Sequence, residues 1–154
     1  MTLGKTMIYY GCDIPEELTY DVERDVWIRF DGEHAILGLT DPAQSRCGRF
    51  VAVQFKKVGR LVQQGKALAT IESGKWVGPF PAPFSAEVVA TNEAGFAEDI
   101  LLANKDPYGL GWLVKVRPVN LEAERGHLVT GEEAVRQYGA RIEAEEIRCF
   151  RCAD

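Results

Sequence analysis

The sequence predicts a mainly β fold, a small barrel or sandwich with short helices and one C-terminal helix. Three observations predict it. Across residues 21–116, short apolar runs alternate with turns containing Gly. Only residues 131–148 sustain a helical period, through Ala134, Val135, Tyr138 and Ile142. The chain has 154 residues, 46% hydrophobic and 27% charged, which suffices for one packed core and is short for two.

Each element follows from local chemistry. Residues 1–10 hold a single Lys and no long apolar stretch, so they read as a loose N-terminal segment and not a signal peptide. Residues 21–29, with Val22, Val26, Trp27 and Ile28, read as a strand running into an Asp31-Gly32 turn, and Ala35, Ile36, Leu37 and Leu39 form its return. Thr40-Asp41-Pro42 is a helix start, because a short polar side chain accepts from an orphan amide and Pro fits the first turn. Gly48 stops that helix within two turns. Phe50, Val51, Val53 and Phe55 form the next strand, residues 56–60 its turn, and Gln64-Gly65 another turn. Residues 67–71 climb as a strand to the polar tip Ser73-Gly74-Lys75, and the chain leaves through Gly78. Residues 88–91 are a strand, 92–95 a turn, 96–103 one or two helical turns, and 112–116 a buried strand. The C-terminal helix has a charged continuation that can run past the domain.

Composition excludes several classes. No apolar run approaches the roughly 20 residues that cross a bilayer, so a cytoplasmic chain with no membrane contact is expected. The net charge of −5 disfavours nucleic acid, which demands clustered Lys and Arg. Cys12, Cys47, Cys149 and Cys152 allow two disulfides on paper, but a cytoplasmic chain of this size needs no staples, so free thiols are expected. Cys149-Phe150-Arg151-Cys152 has redox-motif spacing without two further zinc ligands or a strand-helix setting. It reads as exposed thiols, with disulfide exchange as the alternative. His34 and His127 make no metal pair, and no metal is expected.

Lys75 stands at the tip of its hairpin as a presented amine. Alone, such a Lys is a solvated charge that keeps an edge soluble. Its neighbours change that reading. Glu72-Ser73-Gly74-Lys75 resembles the Glu-Ser-X-Lys turn of glycine-cleavage H proteins. Three further stretches resemble that family in the same order: Ile14-Pro15-Glu16-Glu17-Leu18, Gly38-Leu39-Thr40-Asp41-Pro42-Ala43-Gln44, and Asp106-Pro107-Tyr108-Gly109-Leu110-Gly111-Trp112-Leu113-Val114-Lys115-Val116. The resemblance covers residues 14–138, leaving 1–13 as an N-terminal segment and 139–154 as a helix end with a Cys-containing tail.

The resemblance implies a barrel-sandwich hybrid and a non-catalytic carrier with lipoic acid in amide linkage to Lys75. It implies that Glu72, Ser73 and Gly74 form the surface read by a lipoate ligase or lipoyl transferase. Gly74 has an equal structural reading, as a turn residue needing positive φ. The partners implied are dihydrolipoyl dehydrogenase, glycine decarboxylase and aminomethyltransferase.

Departures from the family bear on the cargo. Val26, Arg46 and Pro79 stand where H proteins carry a Glu, a His and an Asp that hold a cationic aminomethyl arm, so that cargo is disfavoured. Arg46 suits an anionic or thiolate-bearing arm and, in one reading, lowers the pKa of Cys47; in the other, Cys47 packs as a small hydrophobe. Residues 72–79, Gly11-Cys12 and Asp21-Val22-Glu23 are similar to the lipoate-binding proteins of bacterial sulfur oxidation. That similarity implies a carrier of sulfur intermediates for a heterodisulfide-reductase-like complex. Glycine cleavage is the alternative, and an unlipoylated scaffold a third.

Overall fold

The computed structural model describes residues 6–153. Its strands are β1 (Thr6–Tyr9), β2 (Cys12–Pro15), β3 (Thr19–Asp21), β4 (Val26–Asp31), β5 (His34–Leu39), β6 (Phe50–Phe55), β7 (Leu61–Val62), β8 (Ala67–Ser73), β9 (Val77–Pro81), β10 (Ala86–Thr91), β11 (Val114–Pro118) and β12 (Val129–Thr130). The helices are α1 (Asp41–Cys47), α2 (Glu93–Glu98), α3 (Leu102–Lys105), α4 (Leu121–Glu124) and α5 (Gly131–Ala144). A seven-stranded sheet runs β12-β3-β4-β5-β11-β10-β7, a three-stranded sheet runs β6-β8-β9, and β1 pairs with β2. All pairings are antiparallel. This is the mainly β architecture expected, with short helices and a C-terminal helix.

Strand β4 shows how the sequence builds two cores. Val26 and Ile28 enter a main core with Leu37, Leu68, Ile71, Phe80, Phe84 and Val116, between the large and small sheets. Trp27 points the other way, into a second core with Ile14, Leu18, Tyr20, Tyr138 and Ile142 beneath α5. A strand buried on both faces needs no polar alternation, which is why residues 26–28 are apolar without a break. Trp27 pairs in register with Gly38, where a Cβ would sit 2.5 Å from the indole. The ring therefore crosses β5 only because Gly is there, and its Nε1 donates to the Pro107 carbonyl at 2.8 Å.

Several local expectations shift. The strand expected over residues 21–29 is interrupted: β3 ends at Asp21, whose carboxylate accepts from the Arg24 amide at 3.1 Å, and a turn carries the chain to Val26. Residues 92–95 open α2, because the Asn92 carbonyl accepts from Phe96. The Asn92 side chain meanwhile ties to the Leu110 and Trp112 carbonyls. Residues 6–9 form a strand, while residues 1–5 of the expected loose segment lie outside the described residues.

Helix α5 does not run past the domain. Glu146 takes φ +55°, and the Ile147 amide reaches back to the Ile142 carbonyl and the Glu146 amide to Glu143. This is a Schellman stop, and its expected apolar contact is supplied by Ile142 and Ile147, both in the second core. The tail then returns across the body of the protein.

The free-thiol expectation fails for two of the four cysteines. Cys12 and Cys149 are disulfide-bonded with Cα atoms 4.8 Å apart, and the Cys149 amide donates to the Tyr10 carbonyl. Chain reversal at Glu146 lays the tail beside β2, which spacing could not reveal. Cys47 and Cys152 are free, the first buried and the second half-buried.

Candidate functional site

The site is built on the β8–β9 hairpin. Ser73 closes it: its amide donates to the Trp76 carbonyl at 2.8 Å and its hydroxyl to the Cys47 carbonyl at 2.6 Å. One buried hydroxyl thus fastens the hairpin to the end of α1, and it accepts from the Lys75 amide at 3.3 Å. Glu72, Gly74 and Lys75 are exposed. Lys75 makes no salt bridge among the described residues.

Two glycines decide how Lys75 is presented. Gly48, with φ +87° and ψ −172°, occupies a conformation open essentially to Gly alone. A Cβ there would lie 3.1 Å from the Lys75 Cε, so the Lys stem runs over bare backbone. Gly74 has no positive φ, and a Cβ there would meet nothing within 4 Å. The turn-geometry reading of Gly74 is therefore removed, and what it supplies at the tip is low bulk.

Beside the hairpin lies a groove of about 650 Å³, within the usual roughly 300–1,000 Å³ of small-molecule sites. Leu39, Ala43, Trp76, Pro79 and Pro81 give it an apolar wall. Four basic side chains, Arg24, Arg46, Lys75 and Arg141, face two acidic ones, Glu23 and Asp25. The Arg are spoken for: Arg46 pairs with Glu145 at 2.7 Å, Arg24 with Asp21 at 2.9 Å, and Arg141 with Asp25 at 2.7 Å.

Asp25 is held at φ +60°. Burial pushes its carboxyl above the ordinary range, against the pull of Arg141 and a hydrogen bond from Tyr138. Burial likewise pushes the Cys47 thiol up, with the Ser73 hydrogen bond and Lys75 opposing. Arg46 is turned to Glu145 and takes no part in that shift, so the reading in which Arg46 activates Cys47 is corrected. Cys47 packs at the edge of the main core.

Of the residues singled out from sequence, Arg46, Cys47, Lys75 and Pro79 meet in the groove, while Glu72, Ser73 and Gly74 form the tip beside it. Val26 does not line the groove; it is wholly buried in the main core. Sequence reasoning missed Asp25 and Arg141. The Arg141–Glu145 spacing of four on one helix was readable, but nothing marked a partner 116 residues away.

Fold and groove together define a class: a small β protein that holds out one Lys beside an apolar-walled cleft. The glycine cleavage H-protein family model matches residues 18–140. Among curated relatives, glycine cleavage system H protein 2 of Aquifex aeolicus is 44% identical over 142 residues, covering 92% of this chain and 88% of that one. Glycine cleavage system H protein 3 of the same organism is 42% identical over 154 residues, covering 97% and 95%. The crystal structure of a glycine cleavage system H protein from Mycobacterium marinum superposes with a TM-score of 0.69 at 32% identity, covering 82% of this chain and 99% of that one. The chain belongs to the glycine cleavage H-protein family, whose members are non-catalytic carriers of lipoate bound covalently to a Lys.

Proposed function

We propose that Lys75 is the lipoyl attachment site and that the chain carries its load between the active sites of a multienzyme system. The observation that carries this reading is an exposed, unpaired Lys at a fastened hairpin tip, next to a groove of ligand size. The residues fit the group. The Ser73 bond to Cys47 holds the tip still, Gly48 lets the Lys stem pass, and the apolar wall of Leu39, Ala43, Pro79 and Pro81 can shelter a sulfur ring from water. Lipoic acid, when bound, supplies the redox and group-accepting chemistry, and the protein supplies position and shielding. Tethering raises the effective concentration at each partner, so weak docking suffices. On this reading residues 14–138 form the carrier domain, 139–154 being the helix end and tail, of which residues 139–153 complete α5 and bind back onto it.

Glu72 and Gly74 would be read by a lipoate ligase or lipoyl transferase, whereas Ser73, expected from the sequence on that surface, is buried and supports the tip from within through its bond to Cys47. Glycine cleavage is the first reading of the pathway, with glycine decarboxylase, aminomethyltransferase and dihydrolipoyl dehydrogenase as partners; it is supported by the names of the relatives. It also gains from Asp25 and Glu23, which put carboxylates in the groove where Val26 and Pro79 supply none. Sulfur oxidation with a heterodisulfide-reductase-like complex ranks second. What favours it is the presence of differently numbered relatives in one organism, which leaves room for specialised cargo.

Intact mass of protein from a lipoate-competent host tests the attachment: a lipoyl increment present in the native chain and absent from Lys75→Ala supports it, and an increment surviving that change defeats it. Glycine decarboxylase exchange with the loaded protein ranks the two pathways. Robust exchange supports the first, and its absence alongside turnover with the sulfur complex promotes the second.

A further inference from the structure

We propose that the Cys12–Cys149 disulfide is a redox-reactive site, open to dithiols, whose state sets the grip of the C-terminal tail on the lysine-bearing hairpin. This rests on Lys75 as the working residue of the groove.

The tail is held through each of residues 149–152. Cys149 is bonded to Cys12. The Phe150 amide donates to Ser45 Oγ at 3.0 Å, and the Phe150 carbonyl accepts from Gln44 Nε2 at 2.7 Å. Arg151 reaches Asp13 at 2.7 Å, and the Cys152 amide donates to the Asn104 carbonyl at 3.0 Å. Gln44 and Ser45 belong to α1, which ends at the groove. Asn104 also donates to the Gly48 carbonyl at 2.9 Å, and Gly48 carries the Lys75 stem. A continuous run of bonded groups therefore joins the disulfide to the hairpin, with Cys47 and Ser73 as its last link.

Weaker ties add to these, the Cys149 amide to the Tyr10 carbonyl, Ser45 Oγ to the Phe150 carbonyl and Arg151 to Asp41 at 3.5 Å, but residues 148, 150, 151 and 153 are exposed. Ordering such a segment costs backbone entropy at every residue. A covalent anchor at its start offsets part of that cost, and cutting the anchor returns it.

Access is asymmetric: Cys149 is half-buried whereas Cys12 is wholly buried. An incoming dithiol loses a proton and its thiolate attacks the Cys149 sulfur, breaking the bond to Cys12, whose thiolate then takes up a proton. The second thiol of the reductant attacks the mixed disulfide, releasing Cys149 as a thiol and leaving the reductant as a cyclic disulfide. Two electrons and two protons pass to the protein. A dithiol is also the chemical class of a reduced lipoyl group, so carriers in the reduced state would meet a reductant matched to this site.

The test compares the unmodified full chain, oxidised and after treatment with dithiothreitol or reduced lipoamide, by hydrogen exchange and by trypsin cleavage at Arg148 and Arg151. Expected are a two-hydrogen mass deficit in the oxidised chain, at least tenfold faster exchange of the Phe150 and Cys152 amides after reduction, and a smaller rise, about threefold, at Gly48 and Ser73. Cys12→Ser should behave as the reduced protein without reductant; if it fails to fold, Cys149→Ser serves. Cys152→Ser should keep the full response. Absence of the mass deficit, equal tail exchange in both states, or a released tail with unchanged Gly48 and Ser73 would each overturn the proposal. Because the unmodified chain is used, these results stand whether or not Lys75 proves to carry lipoate.

Discussion

The hairpin at residues 73–76 and the tail at residues 145–153 both end on α1, yet they are held by opposite kinds of force. The hairpin is local: a strand pair, a buried Ser and one glycine fix it, with partners from the two flanking strands and the helix end. The tail has no sheet or helix of its own and is fixed by a disulfide and by polar side chains of distant segments. The difference teaches that a presented Lys needs little stability of its own, because its support is made by the scaffold, whereas an irregular segment stays in place only through anchors.

The largest effect should come from Lys75→Ala, which abolishes lipoylation outright while leaving stability within about 0.5 kcal/mol, as for other exposed positions. Intact mass and a denaturant midpoint read both halves of that statement. On the tail side, Cys12→Ser removes a cross-link spanning 137 residues of sequence. Chain entropy puts the loss near 3–5 kcal/mol, and urea unfolding with and without reductant should show the native chain falling to the variant.

Arg141→Gln sits between the two regions and should cost about 2 kcal/mol, because it leaves the Asp25 carboxylate buried without its cation. The pH dependence has a definite sign. The folded Asp25 carboxyl is raised by burial, so its contribution is complete at low pH and is lost as pH rises through the folded pKa. Removing Arg141 takes away the opposing pull and raises that carboxyl further. The deficit of the variant should therefore be widest at neutral pH and shrink on acidification, and urea midpoints across pH 4–8 would show it. A deficit constant with pH breaks the assignment. The smallest structural effect should be that of Gly74→Ala, with stability unchanged within about 0.5 kcal/mol and lipoylation slower, because the added methyl meets solvent on the native side and the modifying enzyme on the other. A large stability loss would return Gly74 to a backbone role.

The same contrast explains what was legible in the sequence. Short-range chemistry was: Thr40 caps α1 and accepts from the Ala43 amide, Gly48 ends it, and the hairpin turns where polar residues interrupt β8. The family followed from four colinear stretches. The groove was only half legible. Arg46, Cys47 and Pro79 arrive there, but Val26 faces the core because β4 is buried on both sides, and the neighbouring Asp25 takes the groove through a left-handed turn no local pattern announced. The disulfide was hidden for a related reason. Its formation depends on Glu146 adopting a conformation usually left to Gly, and an argument from compartment alone could not weigh that reversal.

The outer strands of the sheets bear on how copies of the chain meet one another. The seven-stranded sheet finishes in β12 and β7, each two residues long, and one border of the small sheet, β9, carries Pro79 and Pro81. Stubs and prolines offer few unpaired amides to a neighbouring molecule, which blunts strand-to-strand aggregation. These three borders resist pairing between copies of the chain, which leaves β6 as the long open edge of the small sheet.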